Sequence, residues 1–283
     1  MRVYVINLAR SPERLAHITA ELAKTDLPYE IVQAVDGRTL NLTDRGVADP
    51  SVISYNRLPA GAVGCALSHI RAQQKAICDG VPEALILEDD VNLPPDLGTI
   101  VDAVANYLTG AEVALLNYQT DEPCQLSSTD AIALPSSRLL ALPIDVEQLT
   151  SAAGYIITRS ACERMTKNAP PIQANADDWQ FFYKEEILDR VRCVWPQVII
   201  KNAKLDSTIG SYSLGNSPSA RLFGRLMRHR TPVLRQLVVR RRKRIFRIRN
   251  QSEVVESPFV NKPSRMADDG RSRSQAQEVP GAE

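Results

Sequence analysis

The sequence lacks an uninterrupted apolar run long enough to cross a membrane. A spanning helix needs roughly 18 or more apolar residues, and the apolar opening MRVYVINL runs directly into the charged segment SPER. The opening also lacks the small-residue site at which a secretory leader is cleaved. We therefore expect a cytoplasmic protein whose contact with any membrane is peripheral.

Cysteine is scarce and is not arranged in pairs. The five cysteines are odd in number, widely spaced and without a CxxC motif, which argues against a disulfide framework and against a zinc site. We expect reduced thiols, mostly buried. With 283 residues and 44% hydrophobic content, the chain can bury a sizeable core, which excludes disordered and fibrous proteins.

Acidic residues are missing from one stretch of the chain. Residues 221–249 hold 12 of the 34 Lys and Arg residues and no Asp or Glu, which leaves 22 bases against 33 acids elsewhere. An acidic body with a basic extension predicts two partners, one of them polyanionic. Apolar residues recur in the stretch at helical spacing, so we expect amphipathic helices that bind the anionic inner face of the cytoplasmic membrane. Phe223 and Phe246 are its only aromatic residues, and this shortage of stacking platforms argues against a nucleic-acid partner.

Strand and helix patterns alternate over most of the chain. Strands are predicted at residues 3–8, 29–35, 84–87, 113–117, 155–158 and 191–200, and helices from Ser11, between Gly61 and Gly80, and near 95–108, 160–167 and 178–188. This order predicts an α/β domain with a mostly parallel central sheet over residues 1–213. Residues 214–249 are predicted to form the basic helical extension. Residues 250–283, poor in large apolar side chains, are predicted to be a disordered tail.

Three consecutive acids follow the predicted strand at 84–87. Glu88, Asp89 and Asp90 repel one another unless a cation compensates them. Mg²⁺ or Mn²⁺ is the natural candidate, because one or two carboxylates can hold such an ion while its other positions take substrate phosphates. The carboxyl ends of strands are also where open, mostly parallel sheets bind ligands. A solvated turn or an acidic cap on the next helix is the alternative.

Polar residues elsewhere are further candidates. Asp177 and Asp178 precede a predicted helix, so Asp177 could be no more than the N-cap of that helix, or either acid could be the general base that takes a proton from an acceptor hydroxyl. Asn7, Arg10 and Arg14 lie at and just beyond the end of the first strand, where guanidinium groups and a helix N-terminus can meet a nucleotide. Arg14 is equally suited to a surface role.

Ser68 and His69 are neighbours in the predicted helix between Gly61 and Gly80. A single histidine in an amphipathic helix is more often a hydrogen-bonded packing residue than a ligand. The residue types by themselves leave its role open.

Seven short segments form an ordered set over about residues 1–213: VINLARSPER, AVDG, GAVGCALSHIRAQQKAI, ALILEDDV, AGYIITRSAC, ADDW and LDSTIGS. In order and spacing they resemble glycosyltransferase family 25, which contains bacterial lipooligosaccharide galactosyltransferases and collagen galactosyltransferases. Each segment is weak by itself, but the ordered set is specific. The basic extension is not part of the resemblance.

The resemblance implies a GT-A type, Rossmann-like fold and an inverting hexosyltransferase. Such an enzyme moves a sugar, commonly galactose, from a UDP-sugar to an oligosaccharide or lipid-linked saccharide acceptor in lipopolysaccharide or lipooligosaccharide biosynthesis. By position, the resemblance assigns Mn²⁺ or Mg²⁺ to Glu88 and Asp90, although the motif here is EDD rather than Asp-x-Asp, and it makes Asp177 and Asp178 candidates for the base or for sugar contacts. The donor-site residues that it implies are Asn7, Arg10, Arg14, Ser68, His69, Glu88 and Asp89, with Gly64 in the same central helix.

Two other functions stay open on the sequence. A metal-dependent nucleotidyl or phosphoryl transferase would also gather acids around an ion, but it usually carries a Gly-rich phosphate loop, which this sequence lacks. A non-catalytic membrane or nucleic-acid adaptor that acts through residues 221–249 is the alternative outside the enzymes.

Overall fold

The structure is a computed structural model, and it describes most of the first 202 residues. The described residues are 1–42, 46–48, 58–120, 124–147, 149–167, 169–202, 205 and 252–256. The predicted basic extension at 214–249 lies outside them, as does the predicted tail apart from residues 252–256. No helix within the described ranges is both long enough and apolar enough to cross a membrane.

Helices and strands alternate along these ranges. The helices are α1 (Pro12–Leu22), α2 (Ala60–Cys78), α3 (Leu97–Ala105), α4 (Arg159–Lys167) and α5 (Trp179–Lys184), with a 3₁₀ turn at Gly37–Thr39. The strands are β1 (Arg2–Asn7), β2 (Tyr29–Gln33), β3 (Glu83–Glu88), β4 (Val91–Asn92), β5 (Glu112–Leu115), β6 (Cys124–Ser127), β7 (Ile132–Leu134), β8 (Arg138–Ala141), β9 (Gly154–Thr158), β10 (Arg190–Trp195), β11 (Ile200–Lys201) and β12 (Ser252–Val255).

An eight-stranded sheet in the order β2-β1-β3-β9-β5-β10-β8-β7 forms the centre of the molecule. β1 pairs in parallel with β2 and β3, and β10 pairs in parallel with β5. β9 is antiparallel to both of its neighbours, and β8 is antiparallel to β10 and β7. Six of the eight strands therefore point the same way, which confirms the predicted α/β fold and its mostly parallel sheet.

Burial on both faces explains why the central strands are continuously apolar. Along β1, Tyr4 and Ile6 enter one core cluster, whereas Val3 and Val5 enter the other, because successive side chains of a strand point to opposite faces. Apolar residues of α2, α4 and α5 cover the first face, and those of α1 and α3 cover the second. Parallel strands covered by helices on both faces are buried in this way in α/β proteins generally.

The antiparallel direction of β9 decides what lies at the ligand-binding edge. The N-terminal end of β9 lies beside the carboxyl ends of β3 and β5, where Glu88 N donates to Ala153 O at 2.9 Å and Leu116 N donates to Gly154 O at 3.0 Å. Residues that precede β9 in the chain therefore reach the same edge as the acids that follow β3. The sequence predicted the strand at 155–158 but did not predict its direction.

The single strand predicted at 191–200 is two strands in the structure. β10 ends at Trp195, and Pro196 follows, which has no N–H to continue a ladder. The chain then crosses the edge of the sheet, where β11 pairs antiparallel with β4 so that Ile200 lies opposite Asn92 and Lys201 lies opposite Val91. This break places Lys201 next to the acidic segment.

Residues 252–255 differ from the disorder predicted for the tail. They form β12, which pairs in parallel with β6. One indole and one phenol group of the α/β domain hold its first residue: Trp195 Nε1 donates to Ser252 O at 3.2 Å, and Tyr118 Oη donates to Ser252 Oγ at 3.4 Å. The domain therefore includes a strand from beyond residue 213.

Candidate active site

The three consecutive acids lie at the carboxyl end of β3. Glu88 is the last residue of the strand, and Asp89 and Asp90 form the turn into β4. Both aspartates are buried, with 5% and 9% of their surface exposed. An isolated buried carboxylate is costly, so the surrounding cations decide whether the cluster is stable.

Arg14 and Asn7 compensate the two aspartates. The Arg14 guanidinium, on the first turn of α1, donates from Nη2 to Asp89 Oδ1 at 2.7 Å and to Asp90 Oδ2 at 2.8 Å. Asn7 Nδ2, at the end of β1, donates to Asp89 Oδ2 at 2.7 Å. Arg14 is buried, so the surface role that the sequence left open for it is wrong. Asn7 and Arg14, which were predicted to bind the donor, instead bond to the acidic side chains in this structure.

Lys201 and His69 surround the carboxylate of Glu88. Lys201 Nζ lies 3.0 Å from Glu88 Oε2, and His69 Nε2 lies 3.7 Å from Glu88 Oε1. Burial raises the pKa of Glu88, but the charge of Lys201 and the imidazole of His69 outweigh burial and hold that pKa well below its usual range. Glu88 is therefore ionised at neutral pH.

The two aspartates have the opposite pKa direction. Burial raises the pKa of Asp89 to about 6, although Arg14 and Asn7 counteract part of the effect. Burial and the nearby charge of Glu88 raise the pKa of Asp90 as well. Burial therefore makes Asp89 and Asp90 harder to ionise than exposed aspartates, even with Arg14 in place.

Ser68 and His69 are fixed in α2 by different partners. His69 Nδ1 lies 3.0 Å from the hydroxyl of Tyr155, and their rings stack with centroids 5.7 Å apart, which directs Nε2 towards Glu88. Ser68 Oγ accepts from Val35 N at 2.8 Å and donates to Gly64 O at 2.6 Å. Ser68 therefore holds the loop after β2 against the helix.

Gly64 allows the same loop to approach α2 closely. A Cβ at this position would lie 2.8 Å from both Val35 O and Gly37 N, which is closer than side-chain carbons pack against backbone atoms. The hydrogen bonds of Ser68 and the absence of a side chain at Gly64 thus act together. They shape one wall of the adjacent pocket.

This pocket lies between the loop after β2, the start of α2 and the ends of β1 and β3. It has a volume of about 170 Å³, and Glu88 and Asp89 form its acidic side. Its lining residues include the predicted donor-site residues Arg10, Arg14, Ser68 and His69, together with Arg38 and the first residues of α2, Ala60 and Gly61.

Guanidinium groups lie on the outer side of this pocket. Arg10 Nε donates to Asp36 Oδ2 at 2.9 Å, and Arg38 donates to the same carboxylate, which lowers the pKa of Asp36 below its usual range. Arg10 and Arg38 keep further N–H donors, since a guanidinium has five. Together with the N-terminus of a helix, such groups favour an anionic ligand.

Asp177 and Asp178 have different surroundings. Asp178 is the N-cap of α5, and its Oδ1 accepts from Phe181 N at 3.1 Å. Asp177 Oδ2 instead accepts from Ser151 N at 2.9 Å. Ser151, which has a φ of 86°, also donates from Oγ to Asn117 Oδ1 at 2.7 Å.

The bond to Ser151 connects Asp177 to the acidic edge. Ser151 is two residues before Ala153, whose carbonyl accepts from Glu88 N. Asp177, Glu88 and Asp90 also act together on the thiol of Cys65, whose pKa they raise in addition to the larger effect of burial. The N-cap predicted at Asp177 is therefore wrong: Asp178 caps the helix, whereas the bond from Ser151 N holds Asp177 near the acidic edge.

The acids fit a hard divalent cation. Glu88 and Asp90 offer carboxylate oxygens, the ligand type that Mg²⁺ and Mn²⁺ prefer. Asp90 Oδ1 is buried and accepts no hydrogen bond from the described residues. A buried carboxylate oxygen without a donor is the atom that an ion would satisfy.

The sequence analysis missed Lys201, Asp36, Asn117 and Ser151. Asn117 follows β5 and donates to Ile199 O at 2.9 Å, so it ties that edge of the sheet to the segment before Lys201. A single lysine after the apolar run VWPQVII was the available signal for Lys201. Nothing in the spacing places it beside residues more than a hundred positions earlier.

Removing the Arg14 guanidinium tests the charge balance. We expect Arg14→Met to lower the free energy of unfolding by about 3–5 kcal/mol at pH 8, because two buried carboxylates lose their counter-ion. We expect the difference in unfolding free energy between wild type and Arg14→Met to be smaller at pH 5. The folded-state pKa of each aspartate lies above its unfolded value, so protonation at low pH favours the folded state, and a neutral carboxyl needs no counter-ion. Urea unfolding at both pH values measures this difference.

Arg10→Met is the matched control for Arg14→Met. Arg10 is about one-third exposed and pairs with Asp36 outside the acidic cluster, so its loss should cost no more than about 1 kcal/mol. Equal losses for the two variants would contradict the assignment of Arg14 as the counter-ion of the cluster.

Comparison with known proteins places this chain in a family. The family model described as glycosyltransferase family 25 (LPS biosynthesis protein) matches residues 1–180. An inactive glycosyltransferase 25 family member 3 of Mus musculus is 39% identical over 98 residues, which are 31% of this chain and 16% of that protein. Procollagen galactosyltransferase 2 of Mus musculus is 32% identical over 98 residues, 31% of this chain and 15% of that protein.

A candidate glycosyltransferase of Haemophilus influenzae matches over more of its length. It is 25% identical over 175 residues, which are 59% of this chain and 58% of that protein. The chain thus spans about a sixth of the mammalian relatives and less than two thirds of the bacterial one.

Solved structures give a weaker likeness. Staphylococcus aureus TarS 1-349 matches with a TM-score of 0.36 and 17% identity over 68% of this chain and 58% of that chain. A glycosyltransferase involved in the glycosylation of the major capsid of PBCV-1 matches with a TM-score of 0.33 and 10% identity over 68% and 80% of the two chains. At such scores the family model carries the assignment, and with its match to well over half of the sequence this chain belongs to glycosyltransferase family 25.

Proposed function

We propose that the protein is an inverting glycosyltransferase that moves a hexose from a UDP-sugar to a saccharide acceptor, with galactose as the first candidate for the hexose. The observation that carries the proposal is the placement of Asp177 at the same sheet edge as Glu88 and Asp90, beside a pocket lined by guanidinium groups. Inversion needs a base and a group that stabilises the departing diphosphate. Both kinds of residue are present at this edge.

The pocket supports a nucleotide diphosphate as donor. Arg10 and Arg38 offer N–H donors to it beyond those bonded to Asp36, and Ala60 and Gly61 bring the N-terminal end of α2 to it. Helix N-termini and guanidinium groups both favour phosphate oxygens. The apolar lining residues Ile6 and Leu8 offer a surface for a base.

Glu88 and Asp90 are the residues that would hold Mn²⁺ or Mg²⁺. Such an ion supplies Lewis-acid stabilisation of the negative charge that develops on the leaving diphosphate. Arg14 keeps Asp89 and Asp90 in place through its bonds to both. His69, held by Tyr155, lies 3.7 Å from the Glu88 carboxylate.

Asp177 is our candidate for the general base. Its Oδ2 is anchored by Ser151 N, and its Oδ1 receives no hydrogen bond from the described residues, so one carboxylate oxygen is available for an acceptor hydroxyl. The bond to Ser151 fixes the orientation of the carboxylate, as a base requires. In Asp178, by contrast, one carboxylate oxygen accepts the helix-capping hydrogen bond from Phe181 N.

We further propose that residues 221–249 attach the enzyme to the anionic inner face of the cytoplasmic membrane, where a lipid-linked acceptor for lipopolysaccharide or lipooligosaccharide synthesis would be presented. The charge of the segment supports this proposal. The chain positions on either side of it also support it, because Lys201 lies at the acidic edge and Ser252 is held by the α/β domain. A membrane contact through the segment would therefore keep the α/β domain close to the surface that presents the acceptor.

A metal-dependent nucleotidyltransferase is the second enzyme class compatible with acids around an ion. The family membership argues against it, and so does the absence of a Gly-rich phosphate loop from the sequence. An adaptor without catalysis would not need the buried acids, which are costly to maintain.

A transfer assay with a panel of UDP-sugars tests the proposed reaction. We expect UDP release from UDP-galactose with Mn²⁺ and a saccharide acceptor, and loss of that activity after chelation. Glu88→Gln and Asp90→Asn should lower turnover by at least about 10²-fold, because each removes one carboxylate charge from the site. Glu83→Gln, at the opposite end of β3, is the matched control and should keep wild-type rates.

Full activity after exhaustive chelation would remove the divalent ion from the proposal. Release of pyrophosphate instead of UDP would favour the nucleotidyltransferase.

Paired amide variants of the two neighbouring acids test the base. We expect Asp177→Asn to lower turnover by about 10²- to 10⁴-fold while donor affinity is retained, since a base acts on the acceptor. Asp178→Asn should stay close to wild type, because Asn caps a helix as well as Asp does. Turnover and UDP-sugar binding are measured separately for each variant.

Loss of donor binding in Asp177→Asn would reassign Asp177 to substrate recognition. Two fully active variants would place the base elsewhere.

Charge replacement in the basic segment tests the membrane proposal. Truncation would also remove β12, so we instead replace the run Arg240–Arg244 with glutamine and compare binding to vesicles of anionic and of neutral lipid. We expect binding to anionic vesicles to weaken by two or more orders of magnitude, at about 1 kcal/mol per cationic residue. A variant with lysine at all five positions keeps the charge and should still bind.

Transfer to a small soluble acceptor should survive the glutamine replacements. Wild-type protein that shows no preference for anionic vesicles at low salt would contradict the membrane proposal.

A further inference from the structure

Lys201 is held beside the acids by backbone pairing. It lies opposite Val91 in the β4–β11 ladder, and the next residue, Asn202, donates from its backbone N to Asp90 O at 2.7 Å. The backbone of Lys201 is therefore fixed relative to the turn that carries Asp89 and Asp90. A lysine on such a ladder has less freedom than one on a loop.

The Lys201 ammonium acts on two carboxylates at once. Its Nζ lies 3.0 Å from Glu88 Oε2, and its charge also acts on Asp90. About 30% of its side chain is exposed, which leaves the ammonium only partly screened by water. A partly buried charge interacts with its neighbours more strongly than a surface charge.

Arg14, the other cation of the cluster, does not bond to every oxygen of the aspartates. Arg14 engages Asp89 Oδ1 and Asp90 Oδ2, whereas Asp90 Oδ1 is buried and accepts no hydrogen bond from the described residues. Glu88 and Asp90 repel each other, so the space that they share needs positive charge. Within the described residues, Lys201 supplies that charge to both.

We infer that Lys201 is a built-in counter-cation which holds the Glu88–Asp90 pair in the metal-free protein and competes with a divalent ion for the same carboxylates. The inference rests on the proposed metal-binding role of Glu88 and Asp90. Its physical basis is that one carboxylate pair cannot be fully compensated by an ammonium and by a divalent ion at the same time without mutual repulsion between the two cations.

Two consequences distinguish competition from a merely structural lysine. The metal-free protein gains stability from Lys201, because the acids are not left as unpaired buried charges. The affinity for a divalent ion is reduced by the same lysine. Removal of the ammonium should therefore destabilise the metal-free protein and tighten metal binding. Loss of a merely structural contact would instead lower both the stability and the metal affinity.

Manganese binding to the full-length chain, without donor or acceptor, tests the inference. Free Mn²⁺ is measured by electron paramagnetic resonance during titration of wild type, Lys201→Met and Lys201→Arg. We expect Lys201→Met to bind Mn²⁺ at least about tenfold more tightly than wild type and Lys201→Arg to bind no more tightly, because it keeps the charge. Lys184→Met, which removes a surface lysine paired with Glu147, is the matched control and should bind as wild type does.

Thermal unfolding gives a second readout on the same proteins. Lys201→Met should unfold at a lower temperature than wild type in chelator and should gain more from added Mn²⁺ than wild type gains. Where Lys201→Met does not fold, Lys201→Gln, which keeps a hydrogen-bonding side chain, takes its place in both measurements.

Equal or weaker Mn²⁺ affinity in a folded Lys201→Met or Lys201→Gln overturns the inference. If such a protein still transfers sugar in a Mn²⁺-dependent manner, the proposed function stands without it. If wild type and both variants bind no Mn²⁺ at millimolar concentrations, the inference fails together with the metal-binding role assigned to Glu88 and Asp90.

Discussion

The repulsion between three adjacent carboxylates is the constraint on which the acidic edge depends. Glu88 ends a strand that is buried on both faces, and Asp89 and Asp90 follow it as buried residues, so water screens the three carboxylates less than it would at a surface turn. The structure meets the constraint with cations from both sides. Arg14 approaches from α1, and Lys201 approaches from β11.

This arrangement explains why residues far apart in sequence behave as one group. Asn7 and Arg14 contact the aspartates from the first strand and helix, and Lys201 contacts Glu88 from β11. Removal of either cation, Arg14 or Lys201, leaves the other to balance more of the carboxylate charge.

The mixed direction of the sheet has a comparable effect on the candidate base. A purely parallel sheet would place the start of the strand at 154–158 on the side away from the acids. Because β9 is antiparallel, Ser151 lies at the edge and anchors Asp177 there. The strain of a positive φ at Ser151 is consistent with a residue held in place by several partners at once, namely Asp177, Asn117 and Trp179.

The sequence by itself determined the α/β class, the positions of the main helices and strands, the acidic edge and the family resemblance. Apolar periodicity and the EDD run are local features, and local features are visible in a sequence. It could not determine the direction of β9, the choice between Asp177 and Asp178 as helix cap, the burial of Arg14 or the position of Lys201. Tertiary structure decided these, because each depends on contacts between residues distant in the chain: Arg14 and Lys201 reach the acids only after β1, β3, β4 and β11 have assembled, and no spacing within the sequence encodes that meeting.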